Sequence, residues 1–376
     1  MAIDVAVLDS PDAIEPIVAE WDRLAVDAGL PYCAPGWLMA WWRHVAPKGA
    51  RLRVVVAREG DRLVGVAPFY ATPWRAGLWT WSLLATDLSS RIEPLAEPEA
   101  VQEIARALAA GAPPPARIDL DGVPVDSPWP TVLRSAGPGG RHAWHFRKPA
   151  VPAPVVPLAG GTVDEWLRTR SSNFRQQMRR ARRKLEKDGG TFRVAGAPEE
   201  IERDLVHFER LHNARWDWRG GSSALPPGAL EMLADAGRAL GPERFQLVSL
   251  EIDGKVINSH LFLSAGREIS YWNGGFDDDF ASYKPSLVGL VEAIRMGLAQ
   301  GRTRFDLGPG AQEYKSRFSD QHDEVIWQSL MPRGARYVLA RGLYAPAQLR
   351  YELAHRLTST QKQQLKRLLR RPNASP

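Results

Sequence analysis

The sequence predicts a mixed α/β protein built from two copies of one α+β unit, each with helices on both faces of a mixed sheet. The first observation is a hairpin that recurs, in "RLRVVVAREGDRLVGVAPFYA" from Arg51 and in "RFQLVSLEIDGKVINSHLFLSA" from Arg244. The second is a short strand ending in Asp, 66 residues after Arg51 in "ARIDLDG" and 60 residues after Arg244 in "TRFDLGPG". The similar spacing indicates a tandem duplication.

The elements of the second copy follow in order along the chain. A strand "TFRVAG" precedes a helix from Pro198 to about Arg215, whose apolar residues recur at helical spacing, and a second helix runs from Pro226 to Leu240. The hairpin and the strand "REISYWNGGFDD" form a meander. Pro285 then begins a helix before the strand "TRFDLG". A short helix "AQEYKSRF" and a final strand "DEVIWQSLM" are predicted to complete the unit.

The boundary between the copies is predicted at "KPAVPAPVVPLAGG", where four prolines suit an extended linker or an edge strand. This gives an N-terminal unit over residues 1–150 and a C-terminal unit over residues 151–335. The remaining residues, 336–376, are predicted to be a basic helical tail appended to the fold. Its leucines alternate with Arg and Lys, which suits a partner or an anionic membrane face.

Composition excludes several classes of protein. Cys33 is the single cysteine, so neither an internal disulfide nor a thiolate metal cluster can form, and we expect no metal. The first residues are acidic where a signal peptide needs a basic start, and no apolar run is long enough to cross a bilayer. We therefore expect a cytoplasmic protein.

The net charge of +6 is concentrated in two segments. The tail from Arg336 holds nine Lys or Arg and one acid, so it carries +8 and the preceding body about −2. Nucleic-acid-binding domains usually spread positive charge over one continuous face. We therefore do not expect nucleic acid as a partner, with tRNA as the exception considered below.

The second basic segment is "SSNFRQQMRRARRKLEKDGG", at Ser171 to Gly190. Its apolar residues recur at steps of four, three and four, which predicts a helix with one buried stripe and an N-cap at Ser172 or Asn173. The positive residues on the other faces either form a solvated surface or attract an anion, and the spacing does not distinguish these alternatives.

Several segments together resemble the GNAT acyltransferase superfamily, and more closely its double-GNAT members of the CelD/BcsL cellulose-biosynthesis type, which are bacterial relatives of Fem-type aminoacyl transferases. In the second half these are the basic helix, "LHNARWDWRGG", "EIDGKVINSHLFL", "YWNGGFDDDFASYKPS" and "FDLGPGAQEYKSRF". In the first half they are "PYCAPGWLMAWWRHV" and "GDRLVGVAPFY". The resemblance covers about residues 15 to 330. It implies two GNAT-like domains, with a degenerate first copy that shapes the cleft without performing chemistry.

The resemblance also implies acetyl-CoA or another acyl-CoA as donor. GNAT enzymes usually hold its pyrophosphate in a glycine-rich loop, but here the equivalent joint is "SYKPSLVG", with Gly289 already inside the helix. A helix N-terminus can still bind an anion through free N–H groups. The predicted cofactor-binding residues are Lys284, Ser286, Leu287, Gly308, Gly310 and Lys315.

Acyl transfer requires a base, donors to the oxyanion and a proton for the leaving thiolate. The resemblance places Tyr314 where GNAT enzymes often carry the tyrosine that protonates the thiolate. Asp306 and Glu313 are the other predicted catalytic residues. The predicted substrate-binding residues are Arg175, Arg179, His212, Arg215, Trp216, Tyr271 and Asn273. Asn258 and His260 share one sheet face, which either lines the cleft or faces solvent.

Three functions follow from these observations. The first is transfer of an acyl group from acyl-CoA to an amine or hydroxyl of a small molecule or saccharide, in polysaccharide or envelope metabolism; the resemblance implies an acetyl group. The second is a Fem-like transferase that takes aminoacyl-tRNA as donor, with the basic helix holding tRNA phosphates. The third is a non-catalytic binding module, against which the intact "GPGAQEYKSRF" turn argues.

Overall fold

The structure is a computed structural model that describes residues 2–137, 143–216, 224–310, 312–334 and 337–356. Its first half, counted here through the predicted linker to residue 157, contains, in chain order, β1 (Asp4–Leu8), α1 (Pro11–Ile14), α2 (Val18–Ala28), α3 (Pro35–His44), β2 (Arg51–Glu59), β3 (Arg62–Pro73), β4 (Trp79–Leu83), β5 (Leu95–Ala96), α4 (Pro98–Ala109), β6 (Arg117–Pro124), α5 (Trp129–Ser135), β7 (Trp144–Arg147) and β8 (Val151–Pro157).

The second half repeats this order of elements. It contains α6 (Val163–Arg168), α7 (Ser172–Lys187), β9 (Thr191–Ala195), α8 (Pro198–Trp216), α9 (Ala229–Leu240), β10 (Phe245–Ile252), β11 (Lys255–Ala265), β12 (Glu268–Phe276), α10 (Pro285–Ala299), β13 (Arg304–Asp306), α11 (Glu313–Ser316), β14 (His322–Met331) and α12 (Val338–Arg356).

The strands form one mixed sheet in the order β1-β2-β3-β4-β6-β14-β8-β13-β12-β11-β10-β9. Read from its two ends, the sheet has the same pattern: three antiparallel pairings and then one parallel pairing, β4 with β6 and β12 with β13. The predicted mixed α/β fold with two repeated units is thereby confirmed.

The last strands of the two halves are exchanged. The final strand β14 was predicted to complete the second unit, but it pairs with β6 of the first half. Strand β8 pairs in turn with β13 of the second half, so it lies inside the sheet and is neither a linker nor an edge strand. Prolines are tolerated there because they still supply acceptors: the Pro152 and Pro154 carbonyls accept from Gly310 and Leu307 N–H at 2.8 and 2.9 Å.

Two hydrophobic cores pack on the sheet. The larger core joins both halves, since it includes Trp37 of α3, Phe208 of α8 and Met232 of α9. The smaller core lies under α7 and α10 and includes Phe174 and Leu290. The buried stripe predicted for the basic helix is confirmed, but Ser171 is the N-cap, with its Oγ accepting from Phe174 N–H at 3.3 Å.

The C-terminal segment is less separate from the fold than the sequence predicted. Tyr337, just before α12, and Ala340, in its first turn, are buried against Ala116, and Tyr344 packs edge-on against Phe146. The buried face of α12 therefore uses tyrosines, whereas Leu349 is exposed. Leu357 and the tail beyond it lie outside the described residues. Among the described helices, none has both the length and the apolarity needed to cross a membrane.

Candidate active site between the two halves

The site begins where β12 and β13 separate. Their parallel pairing covers only Glu268–Ser270 and Arg304–Asp306, after which β12 continues to Phe276 and β13 ends. Just beyond this point, Tyr271 pairs with Phe262 and Asn273 with Leu261, so Trp272 is the extra residue of a β-bulge. A bulge leaves one residue outside the regular ladder and bends the strand. The two strands consequently diverge and leave a gap between them.

A cavity of about 460 Å³ occupies this gap, and we call it the central cleft. Its walls come from both halves of the chain. The lining residues are Tyr32, Asp87, Leu88, Ser89, Ser90, Ala224, Tyr271, Trp272, Asn273, Leu307, Gly308, Pro309, Gln312, Tyr314 and Lys315. Of the predicted site residues, the structure thus brings together Tyr271, Asn273, Gly308, Tyr314 and Lys315.

The turn after β13 fixes the position of Lys315. Gly308 and Gly310 have φ of +75° and +116°, values that favour glycine, and the Gly308 N–H donates to Asp306 Oδ1 at 2.7 Å. The Lys315 Nζ donates to the carbonyls of Gly308 and Pro309, each at 2.9 Å. Burial lowers the pKa of Lys315 to about 8, against the opposing effect of the Asp306 carboxylate. A buried amine that is partly neutral near pH 8 therefore lies in the cleft wall.

The first half forms the opposite wall. Burial, followed by the nearby Asp306 carboxylate, raises the pKa of the Tyr32 phenol well above its usual value, so this hydroxyl stays protonated. Two indole N–H groups stabilise the wall: Trp37 donates to Ser89 Oγ at 2.9 Å, and Trp272 donates across the cleft to the Leu88 carbonyl at 2.7 Å.

Comparison with known proteins identifies a described domain within the chain. Residues 172–316 match the family described as "Acetyltransferase (GNAT) domain". The matched GNAT segment runs from the start of α7 to the end of α11 and contains the diverging strands and the turn that holds Lys315. No curated protein sequence is significantly similar to the chain.

Solved structures extend the likeness over most of the chain. The structure of FemX is similar with a TM-score of 0.61 at 14% identity, covering 87% of this chain and 97% of FemX. L-PGS from Bacillus licheniformis is similar with a TM-score of 0.53 at 13% identity, covering 89% of this chain and 96% of that one. At such low identities, the likeness concerns the fold alone.

Two predicted catalytic residues do not reach the cleft wall. Glu313 is on α11 of the GNAT segment, but its side chain is 88% exposed and pairs with Arg317 at 3.0 Å. Asp306 is buried behind the wall, where its two oxygens contact the Gly308 N–H and Arg91. Because Asp306 is already ion-paired and hydrogen-bonded, it is better placed to orient the turn than to accept a proton.

The residues predicted to bind the cofactor phosphates lie beside the cleft. Lys284, Ser286 and Leu287 are at the N-terminus of α10, which has no side-chain cap, and none of them lines the central cleft. Gly289 faces Asn258 and His260: a Cβ at this position would lie 2.6 Å from Asn258 Oδ1 and 3.0 Å from His260 Nδ1.

This contact settles the alternatives left open for Asn258 and His260. Both side chains are buried under α10, so neither faces the cleft or solvent, and Asn258 Nδ2 donates to the Gly275 carbonyl at 2.8 Å. Gly289 is therefore a close-packing glycine and not a displaced member of a phosphate loop.

The remaining predicted substrate-binding residues are on α7 and α8. His212 is buried on α8, where its ring stacks on Phe208. Arg215 and Trp216 end the same helix, and their side chains lie outside the described residues. Arg175 and Arg179 line an open concavity along α7 with Arg180 and Arg183.

Sequence reasoning missed most of the first-half wall. Tyr32 lies in "PYCAPGWLMAWWRHV", which contributes to the family resemblance, but nothing in that motif indicates that the tyrosine faces the second half. Ser89 and Ser90 have no pattern of their own. Among the described residues, no group of His, Cys, Asp and Glu side chains is arranged to hold a metal ion.

Proposed function

We propose that this protein transfers an acyl group from acyl-CoA to an amine or hydroxyl acceptor bound in the central cleft. The observation that carries the proposal is the cleft itself, which opens where β12 and β13 diverge and has Tyr314 and Lys315 on its wall. The match of residues 172–316 to the acetyltransferase (GNAT) domain supports acyl transfer as the class of reaction.

Lys315 is proposed as the general base. In its neutral form the amine has two N–H groups, and the two carbonyls that accept from Nζ, those of Gly308 and Pro309, can occupy both. The nitrogen lone pair is then left for the cleft. It can take the proton that the acceptor nitrogen or oxygen releases when it attacks the thioester carbonyl carbon.

The negative charge that develops on the carbonyl oxygen needs donors already in place. The bulge at Trp272 leaves backbone groups outside the strand ladder, and we assign the oxyanion contact to a backbone N–H at this position. When the tetrahedral intermediate collapses, the carbon–sulfur bond breaks and Tyr314 donates its phenolic proton to the thiolate. Solvent then reprotonates Tyr314 and removes the proton from Lys315.

The donor would lie along the opening between the strands. Its phosphates would contact the uncapped N-terminus of α10, at Ser286 and Leu287, with Lys284 adding positive charge. Tyr271 and Asn273, one on each side of the bulge, are proposed to contact the acyl group and the acceptor. Asp306 is proposed to act indirectly, by orienting the turn.

A second candidate replaces acyl-CoA with aminoacyl-tRNA. It is favoured by the concavity along α7, where Arg179, Arg180 and Arg183 form no ion pair with any described residue. By contrast, Arg182 pairs with Glu186 at 2.8 Å. A row of unpaired arginines suits a chain of phosphates, and binding through it would weaken steeply with salt.

The test compares the two donors directly. Acetyl-CoA is incubated with the full chain and a panel of amino sugars, polyamines and polyols, and free thiol is measured. Charged tRNA is tested in parallel, with release of the amino acid as the readout. We expect thiol release that depends on an acceptor and is lost in Lys315→Arg. Transfer from tRNA alone would support the second candidate. If neither donor is turned over, the proposed function fails and a non-catalytic binding module is favoured.

A further inference from the structure

Arg91, a residue of the first half, reaches into the catalytic side of the second half. Its backbone has a φ of +52°, and its side chain is 14% exposed. The Nη1 atom lies 2.7 Å from Glu268 Oε1 and 3.4 Å from Asp306 Oδ2. Both carboxylates belong to the strands that diverge at the central cleft.

A second arginine contacts the same cluster but not Asp306. Arg304 donates to Glu268 Oε2 at 2.7 Å and pairs with Asp323 at 2.5 Å. Among the ion pairs of the described residues, the partner of Asp306 is Arg91. Loss of Arg304 would therefore leave Asp306 paired, whereas loss of Arg91 would leave a buried carboxylate without its cation.

Three successive contacts connect Arg91 to Lys315. Arg91 contacts Asp306 Oδ2, while Asp306 Oδ1 accepts from the Gly308 N–H at 2.7 Å. The Gly308 carbonyl then accepts from Lys315 Nζ at 2.9 Å. One oxygen of the Asp306 carboxylate thus contacts the first half, and the other contacts the turn that holds Lys315.

We propose that Arg91 is a positioning residue for this reaction, because it holds the Asp306 carboxylate and thereby the turn to which Lys315 is bonded. The inference rests on the proposed function, in which Lys315 is the base. It assigns to the first half a part in the chemistry of the second, beyond forming the cleft wall.

The charged and titratable groups around Lys315 determine the sign of the expected effect. The Asp306 carboxylate favours the protonated form of Lys315. Glu268 lies behind Asp306 and pairs with Arg91 and Arg304. Tyr32, Tyr271, Tyr314 and Asp87 line the same cleft. Burial raises the pKa of the Tyr32 phenol, which stays protonated, and burial also raises the pKa of the Asp87 carboxyl. Without Arg91, the charge of Asp306 is no longer offset, so protonated Lys315 is stabilised and its pKa rises.

The test measures the titration of Lys315 independently of turnover. The full chain is labelled with ¹³Cε-lysine, its Lys315 signal is assigned with Lys315→Arg, and the signal is followed against pH. In Arg91→Met we expect the Lys315 pKa to rise by roughly one pH unit. Arg244→Met is the matched control. Arg244 also pairs across the halves, with Asp22, but its ion pairs do not include Asp306 or Glu268. It should leave the titration unchanged.

An unchanged or lowered Lys315 pKa in Arg91→Met would overturn the proposal, as would an equal shift in the control. If Arg91→Met does not fold, Arg91→Lys replaces it. An ammonium cannot reach both carboxylates as the guanidinium does, so we expect a smaller rise in the Lys315 pKa. An unchanged Lys315 pKa in Arg91→Lys would then contradict the proposal.

Kinetic measurements separate this inference from the proposed function. If acetyl-CoA is turned over, the ascending limb of kcat against pH should move upward with the Lys315 titration, while KM for the donor stays near the wild-type value. If no donor is turned over, the proposed function fails, and the lysine titration still tests the contact between Arg91 and the turn.

Discussion

The pH dependence of turnover tests the assignment of Lys315 most directly. With a pKa of about 8, about one tenth of the Lys315 side chains are neutral at pH 7, against about 0.03% for a lysine at the ordinary 10.5. Below pH 8 the rate should rise about tenfold per pH unit, and above it the rate should level off. The measurement is free-thiol release from acetyl-CoA at saturating donor, from pH 6 to 9.

Lys315→Arg is the informative substitution, since it keeps the positive charge but cannot deprotonate. We expect kcat to fall by about 10²–10⁴. A rate that is flat from pH 6 to 9, or an arginine variant with normal turnover, would show that Lys315 is not the general base.

The pH dependence of stability gives a second test of the lowered Lys315 pKa. The folded protein binds fewer protons at Lys315 than the unfolded chain does between pH 8 and 10.5, so the free energy of unfolding rises through that window. Below pH 8 the burial of the charged amine costs about 3 kcal/mol. The difference in unfolding free energy between wild type and Lys315→Arg should widen by up to that amount from pH 8 to 10.5. A constant difference would contradict the lowered pKa.

Three further predictions address other parts of the molecule. Tyr314→Phe should lower kcat while the Kd for acetyl-CoA, measured by calorimetry, stays unchanged; normal turnover would remove Tyr314 from the mechanism. Gly289→Ala should lower the free energy of unfolding, measured by denaturant titration, by about 1–3 kcal/mol, because the added methyl group meets buried side chains. Gly342→Ala is the control and should be tolerated, since a Cβ there has no neighbour within 4 Å. The double substitution Arg180→Gln and Arg183→Gln should weaken tRNA binding and reduce its salt dependence. If the wild-type protein binds tRNA equally at low and high salt, the arginines of α7 form a solvated surface and not a phosphate site.

Local patterns predicted the elements of this fold well. The stripe from Phe174 to Leu185 identified the face of α7 that is buried, and Pro285 marked the start of α10. The family resemblance, and not a local pattern, implied that the turn "GPGAQEYKSRF" lies beside the cofactor channel; in the structure, Tyr314 and Lys315 line the central cleft. The role expected for Lys315 differed, because a sequence shows a cation but not the two carbonyls that surround it.

Hydrophobic periodicity and turn-forming residues act over a few positions, so they were sufficient to predict the two repeated units, their mixed sheet and the turn after β13. Three features became visible only in the folded chain: the exchange of β8 and β14, the position of Tyr32 in the cleft wall, and the contact of Arg91 with Asp306, 215 residues away in the chain. A periodic pattern states which face of an element is buried but not which element covers it. Partners so distant in sequence are selected by the packing of the whole fold.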